Sequence, residues 1–203
     1  MQHENTITKM ILKLILQATL VVLAVVIVSF DVGSMEQGKS EYSLTEISQE
    51  ICILAAAILF GFAAKYDLRA RGFFVLVMGL FATMLIRESD AMLDQIQHGF
   101  WVFPALFISL GAVLYARKCA GTVKIPMLQH MDSKNFVYIN LGLIIILIFS
   151  RTFGSGHLWR EIMGADYSTV YKTVIQEGIE LLGCIFVLYG SILVWLDAFK
   201  KKP

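Results

Sequence analysis

The chain has 203 residues, 57% of them hydrophobic and 16% charged, with a mean hydropathy of +0.70. Soluble domains carry about 45–50% apolar and about 25% charged residues, so this composition excludes a water-soluble globule and predicts one membrane domain with its excess apolar surface facing lipid. The formal net charge of +1 points to no nucleic-acid partner, and Cys52, Cys119 and Cys184 are too few and too scattered for a disulfide framework.

Lys9 and Lys13 precede the first apolar run, residues 14–30. A secretory signal has a shorter core and a small-x-small cleavage site. This run ends Ile27-Val28-Ser29-Phe30-Asp31, so it is read as a retained first helix. A span needs about 20 apolar residues to cross about 30 Å of hydrocarbon. Six segments meet or approach that length: 11–30, 44–64, 72–86, 100–116, 136–150 and 173–196. The expected fold is an all-α bundle of about six transmembrane helices. Gly61, Gly111, Gly142 and Gly183 lie inside them, as close helix packing in lipid favours.

Lys and Arg set the orientation. With the N-terminus, the 65–71 and 117–135 loops and the C-terminus on one side, that side holds twelve basic residues against five, which makes it cytoplasmic. The five opposite are Lys39, Arg87, Arg151, Arg160 and Lys172. Acidic residues divide the other way, four cytoplasmic and twelve external, although acids barely influence insertion. Aromatic residues mark both interfaces: Tyr42, Trp101, Trp159 and Tyr171 outside, and Tyr66, Tyr115, Tyr138 and Trp195 inside. The compact loops suit a bacterial inner membrane, with the polar face toward the periplasm. The tail Lys200-Lys201-Lys202-Pro203 fits a dilysine retrieval signal formally and a positive-inside anchor more simply.

Three segments bring ionisable groups to that outer face. The first opens the second helix, where Ser43-x-x-Glu46 reads as a capping box that explains Glu46. Glu50 lies a turn deeper and runs into Ile51-Cys52-Ile53-Leu54, where capping no longer explains a carboxylate. The second segment is Arg87-Glu88-Ser89-Asp90 through Asp94 to His98. If the third helix runs on past Ile86, Asp90, Asp94 and His98 share one stripe at i, i+4, i+8. With Glu50, Glu177 or Glu180 from a neighbouring helix, such a stripe can hold a divalent metal, of which Zn, Fe or Mn suits the mixed carboxylate and imidazole set. The third is Gln176-Glu177-Gly178-Ile179-Glu180, with two acids one turn apart that call for a cationic partner, a shared proton or a metal. Arg87 and Arg151 are the expected cationic partners, and Glu88 joins them in structural ion pairs. His157 sits in a glycine-flanked loop before a short interfacial helix at 158–163.

No G-x-S-x-G, H-E-x-x-H, P-loop or G-x-G-x-x-G motif is present, and the sixth helix has no histidine. Three functions stay open. One is a metal-dependent membrane enzyme acting on a lipid or lipid-linked substrate, with Asp94, His98, Glu177 and Glu180 catalytic and Glu50, Asp90, Asp94, His98 and Glu177 as ligands. Another is a non-catalytic component docking a membrane-protein partner through its acidic face. The third is a proton- or cation-coupled carrier, which the apolar inner halves of the helices disfavour.

Overall fold

The computed structural model describes residues 2–36 and 43–201, and these are all-helical, with no strand among them. Lys39, Glu41, Tyr42 and Lys202, which enter the charge and aromatic patterns above, lie outside the described residues. In chain order the α-helices are α1 (Gln2–Glu36), α2 (Leu44–Tyr66), α3 (Arg71–Glu88), α4 (Asp90–Leu93), α5 (Val102–Lys118), α6 (Lys124–Met131), α7 (Phe136–Ile144), α8 (Ser150–Phe153), α9 (Gly156–Met163) and α10 (Thr169–Lys200). A π-helical turn over Ile145–Phe149 joins α7 to α8 in one rod. Five helical segments are long and apolar enough to cross a membrane, and α5 with the bent continuation Ala120–Met131, at 99°, makes a sixth candidate.

Contacts between named pairs fix the direction of each rod. Helices α2 and α3 are antiparallel: the Phe60 and Phe74 rings lie 5.7 Å apart toward the end of α2 and the start of α3, and Ser89 meets Glu50 at the opposite end. Helix α5 is antiparallel to α3. The Thr83 and Ser109 hydroxyls are 2.9 Å apart at the middle of α5, and in the turn that follows α5 the Thr122 Oγ1 accepts the Gly72 N–H at 2.9 Å at the start of α3. Helices α7 and α10 are antiparallel as well, with Tyr138 and Tyr189 edge to face at 4.9 Å. Helices α2 and α10 are parallel, since Gln49 bonds the backbone of Glu177 at one end while Tyr66 packs on Phe199 at the other.

These directions sort the loops into two ends. The starts of α2 and α10, the end of α3, and α4, α8 and α9 share one end, which carries most of the carboxylates. The 65–71 and 117–135 connections and the end of α10 share the other, where lysines and arginines gather. At this basic end Lys201 Nζ pairs with buried Asp67 at 2.9 Å and ties α10 to the end of α2.

The core lies among α2, α3, α7 and α10. Phe60, Phe74 and Phe81 are fully buried, and the Phe60 ring meets Phe74, Phe81 and Phe136 at centroid distances of 5.7, 5.7 and 6.4 Å. Tilted and edge-to-face contacts at such distances match ring quadrupoles and fill space without polar atoms. Ile139 and Val187 are fully buried as well, and the polar side chain buried beside them, Ser191, turns its hydroxyl back to the Val187 carbonyl at 2.7 Å.

A carboxylate-rich cleft at one end

The acidic end is organised first by a residue the sequence reading passed over. The apolar run breaks at Phe30, but α1 continues to Glu36, which puts Asp31 inside the helix and 5% exposed. Its carboxylate accepts the Ser43 hydroxyl at 2.7 Å and the Leu44 N–H at 3.0 Å. Ser43 Oγ in turn accepts the Glu46 N–H at 3.2 Å, the cap its spacing predicts. The start of α2 is therefore capped twice, once locally and once by a charge from α1. Replacing Asp31 by Ala should cost about 1–2 kcal/mol, the usual worth of a cap, and Asp31→Asn less. Thermal unfolding in detergent reads this, and equal melting of Asp31→Ala and wild type would show the cap to be idle.

One turn into α2, buried Gln49 donates from Nε2 to the Glu177 carbonyl at 2.9 Å, which locks α2 to α10. Glu50 Oε1 lies 3.3 Å from Ser89 Oγ, and the same hydroxyl lies 3.1 Å from the Leu85 carbonyl, so its one hydrogen serves two acceptors. Glu50 is thus lightly held.

The stripe expected beyond Ile86 does not form. Helix α3 stops at Glu88, and Ser89 separates it from the four-residue α4. Asp94 then closes a loop: its carboxylate meets His98 Nδ1 at 3.0 Å and accepts the Gly99 N–H at 2.9 Å. Gly99 has φ of +79°, a conformation that favours glycine, so the chain leaves the helical path there. The His98 side chain is fully exposed. Asp90, Asp94 and His98 therefore do not line up. Arg87 pairs with its neighbour Glu88 at 3.0 Å rather than with a carboxylate of α10.

Glu180 is the deepest acid, 7% exposed. Arg151 Nη2 stands 3.5 Å from its Oε1, Gln176 Nε2 donates to the same oxygen at 3.3 Å, and buried Ser150 Oγ lies 3.0 Å away. The π turn sets this up. It fits an extra residue into the rod, so every side chain after it is rotated about 100° from the continuing α register. That rotation aims Ser150 and Arg151 at α10. Glu177, a turn nearer the end, is half-buried, and its carboxylate has no hydrogen-bond or ion-pair partner among the described residues.

What the elements bring together is a cleft of about 630 Å³ between the start of α2 and the end of α3. Glu46, Glu50, Glu88 and Asp90 line it with a single guanidinium, Arg87. Asp94, His98, Glu177 and Glu180 are not among its walls. No group of three or more His, Cys, Asp or Glu side chains among the described residues is spaced to hold a metal ion. His157 pairs locally with Glu161 at 3.5 Å on α9, both exposed. Gln49, Ser89, Ser150 and Gln176 are contributors that charge-based reading missed, although each sits beside a charged residue already singled out. No family model, curated protein or solved structure matches this chain.

Proposed function

We propose that the chain is an integral membrane protein that crosses the bilayer six times with both ends in the cytoplasm, and that its outward cleft docks a cationic segment of another membrane-associated protein. The sixth crossing is α5. Taken alone, its 17 residues reach about 25 Å at 1.5 Å each, short of a full span. It nevertheless packs antiparallel on α3, and the turn that follows it reaches Gly72, so α5 and that turn together return to the end of the bundle where α3 begins. Lys65, Arg69, Arg71, Arg117, Lys118, Lys124 and Lys134 then fall at the cytoplasmic surface, as the positive-inside rule requires.

The observation that carries docking is the charge of the cleft: four carboxylates and one guanidinium around an open space, with Glu50 lightly held. Carboxylates arranged this way favour a lysine- or arginine-rich segment and steer its approach. Enzymatic metal chemistry would need Asp94 and His98 beside Glu50 and Glu177, and the loop closed by Asp94 keeps the first two outside the cleft. A carrier would need polar groups at mid-bundle, where Ile53, Phe81 and Val187 are packed.

The test uses the full chain in neutral phosphatidylcholine nanodiscs with decalysine as probe. Binding should weaken with added salt. It should also weaken about tenfold in Glu46→Gln/Glu50→Gln, the sum of two modest ion pairs. His98→Ala should bind as wild type does. Equal affinity of wild type and the double variant sinks the docking reading. For the orientation, an impermeant thiol reagent on intact cells should reach a cysteine placed at Gln95 and not one placed at Lys124.

A further inference from the structure

Helix α1 is the least covered of the long helices: 6% of its apolar window is buried, against 56% for α10. One stripe of it, at three- and four-residue steps through Ile7, Met10, Leu14, Gln17, Val21, Ala24 and Val28, borders two cavities. One, of about 280 Å³, lies between α1 and α10 toward the acidic end, and apart from Ser29 its walls are apolar side chains and Gly178. The other, of about 640 Å³, lies toward the basic end, where Lys13, Gln17 and Tyr138 stand among Ile7, Met10 and Leu14.

The polar trio has a definite arrangement. Gln17 Nε2 donates to the Tyr138 hydroxyl oxygen at 2.7 Å, which leaves the phenolic hydrogen as a donor. Lys13 Nζ lies 5.5 Å from the centroid of the same ring and has no carboxylate partner among the described residues. An ammonium and a phenol therefore converge at the basic mouth of an apolar furrow, and no acidic side chain among the described residues lines that cavity.

We infer that this furrow binds one anionic phospholipid of the cytoplasmic leaflet, its phosphate on Lys13 and Tyr138 and one acyl chain along α1. The inference rests on the orientation proposed above, which puts the basic end at that leaflet, and it is independent of the acidic cleft. Half of a hydrocarbon core is about 15 Å, or ten helical residues. Counted from Lys13, an acyl chain ends beside Val21 and Ala24, where the α1–α10 cavity begins. Charge decides the occupant: a basic group at the cytoplasmic surface favours an anionic headgroup by about fivefold per lysine.

Native mass spectrometry of the detergent-purified full chain, titrated with phosphatidylglycerol or phosphatidylcholine, tests it. Wild type should retain one phosphatidylglycerol about fivefold better than phosphatidylcholine. Lys13→Gln should erase the preference, Tyr138→Phe should reduce it while keeping the ring, and Leu14→Trp should exclude both lipids by filling the cavity beside Lys13 and Tyr138. Lys118→Gln, elsewhere at the basic end, should change nothing. Equal retention of the two lipids by wild type overturns the site, as does an equal loss from Lys118→Gln. A lipid-free dimer that Leu14→Trp dissociates assigns the furrow to a second copy and also overturns it. A chain that stays monomeric in solution without detergent defeats both this inference and the membrane reading, whereas a detergent-requiring chain with no lipid preference defeats this one alone.

Discussion

Gly183→Val should destabilise the bundle by about 3 kcal/mol, the upper part of the usual range for overpacking, and should release α7 from α10. A Cβ at Gly183 would stand 2.6 Å from Ile146 Cγ1 and 2.9 Å from the Gly142 carbonyl oxygen. A Cβ at Gly142 would stand 2.6 Å from the Gly183 carbonyl oxygen. Two turns along, one at Gly190 would lie 3.0 Å from the Ile139 backbone nitrogen. The two backbones touch at these glycines, and backbone cannot step aside as a flexible side chain can. Pushing the rods apart withdraws Phe136 and Ile139 from the core they complete. Gly111→Ala is the control, since a Cβ there meets nothing within 4 Å. It should leave stability unchanged or raise it by up to about 1 kcal/mol through helix propensity. Thermal unfolding and size-exclusion profiles in one detergent separate the cases. A Gly183→Val protein that melts with wild type would mean that the crossing is loose and that the glycines are incidental.

Helix positions were legible in the sequence because lipid-length apolar runs leave little freedom, and each of the six segments coincides with a helical rod. Helix ends were less legible. At the first, apolarity stops at Phe30 but the backbone stays helical to Glu36, and this hid Asp31 as the cap of α2. At the third, periodicity alone let Asp90, Asp94 and His98 share a stripe, and only the left-handed turn at Gly99 with the Asp94 loop closure removes them from it. The π turn was invisible, since Ile145-Ile146-Leu147-Ile148-Phe149 reads as ordinary helix. The acids themselves stood out because carboxylates beside long apolar runs are costly and rare. Their partners did not, because a Gln or Ser gives no composition signal until tertiary contacts aim it.

Arg151→Leu should cost about 2 kcal/mol, and the reason lies in how Glu180 is held. Removing one member of a fully buried pair costs about 3–5 kcal/mol because the other charge is left without compensation. Glu180 meets that description at 7% exposure, but the Arg151 side chain is 44% exposed, so water already screens half of the pair and the cost falls. What remains after Arg151→Leu is Gln176 and a Ser150 hydroxyl whose hydrogen is shared with the Ile146 carbonyl at 2.6 Å. Glu180→Met removes the charge instead and leaves Arg151 free to turn toward solvent, so it should cost about 1 kcal/mol, chiefly through the unpaired Gln176 amide. In Arg151→Leu/Glu180→Met neither charge remains to be compensated, and the double variant should recover about 1 kcal/mol relative to the sum of the singles. Strict additivity in thermal unfolding would mean that the two residues do not sense each other and that the 3.5 Å approach carries no energy. Decalysine affinity, measured on the same double variant, separates this buried pair from the cleft. The pair lies behind the cleft walls rather than among them, so affinity should stay at the wild-type value while stability moves. A drop in affinity would instead make Arg151 and Glu180 a support of the cleft, acting through α10 and the Gln49 bond that ties it to α2.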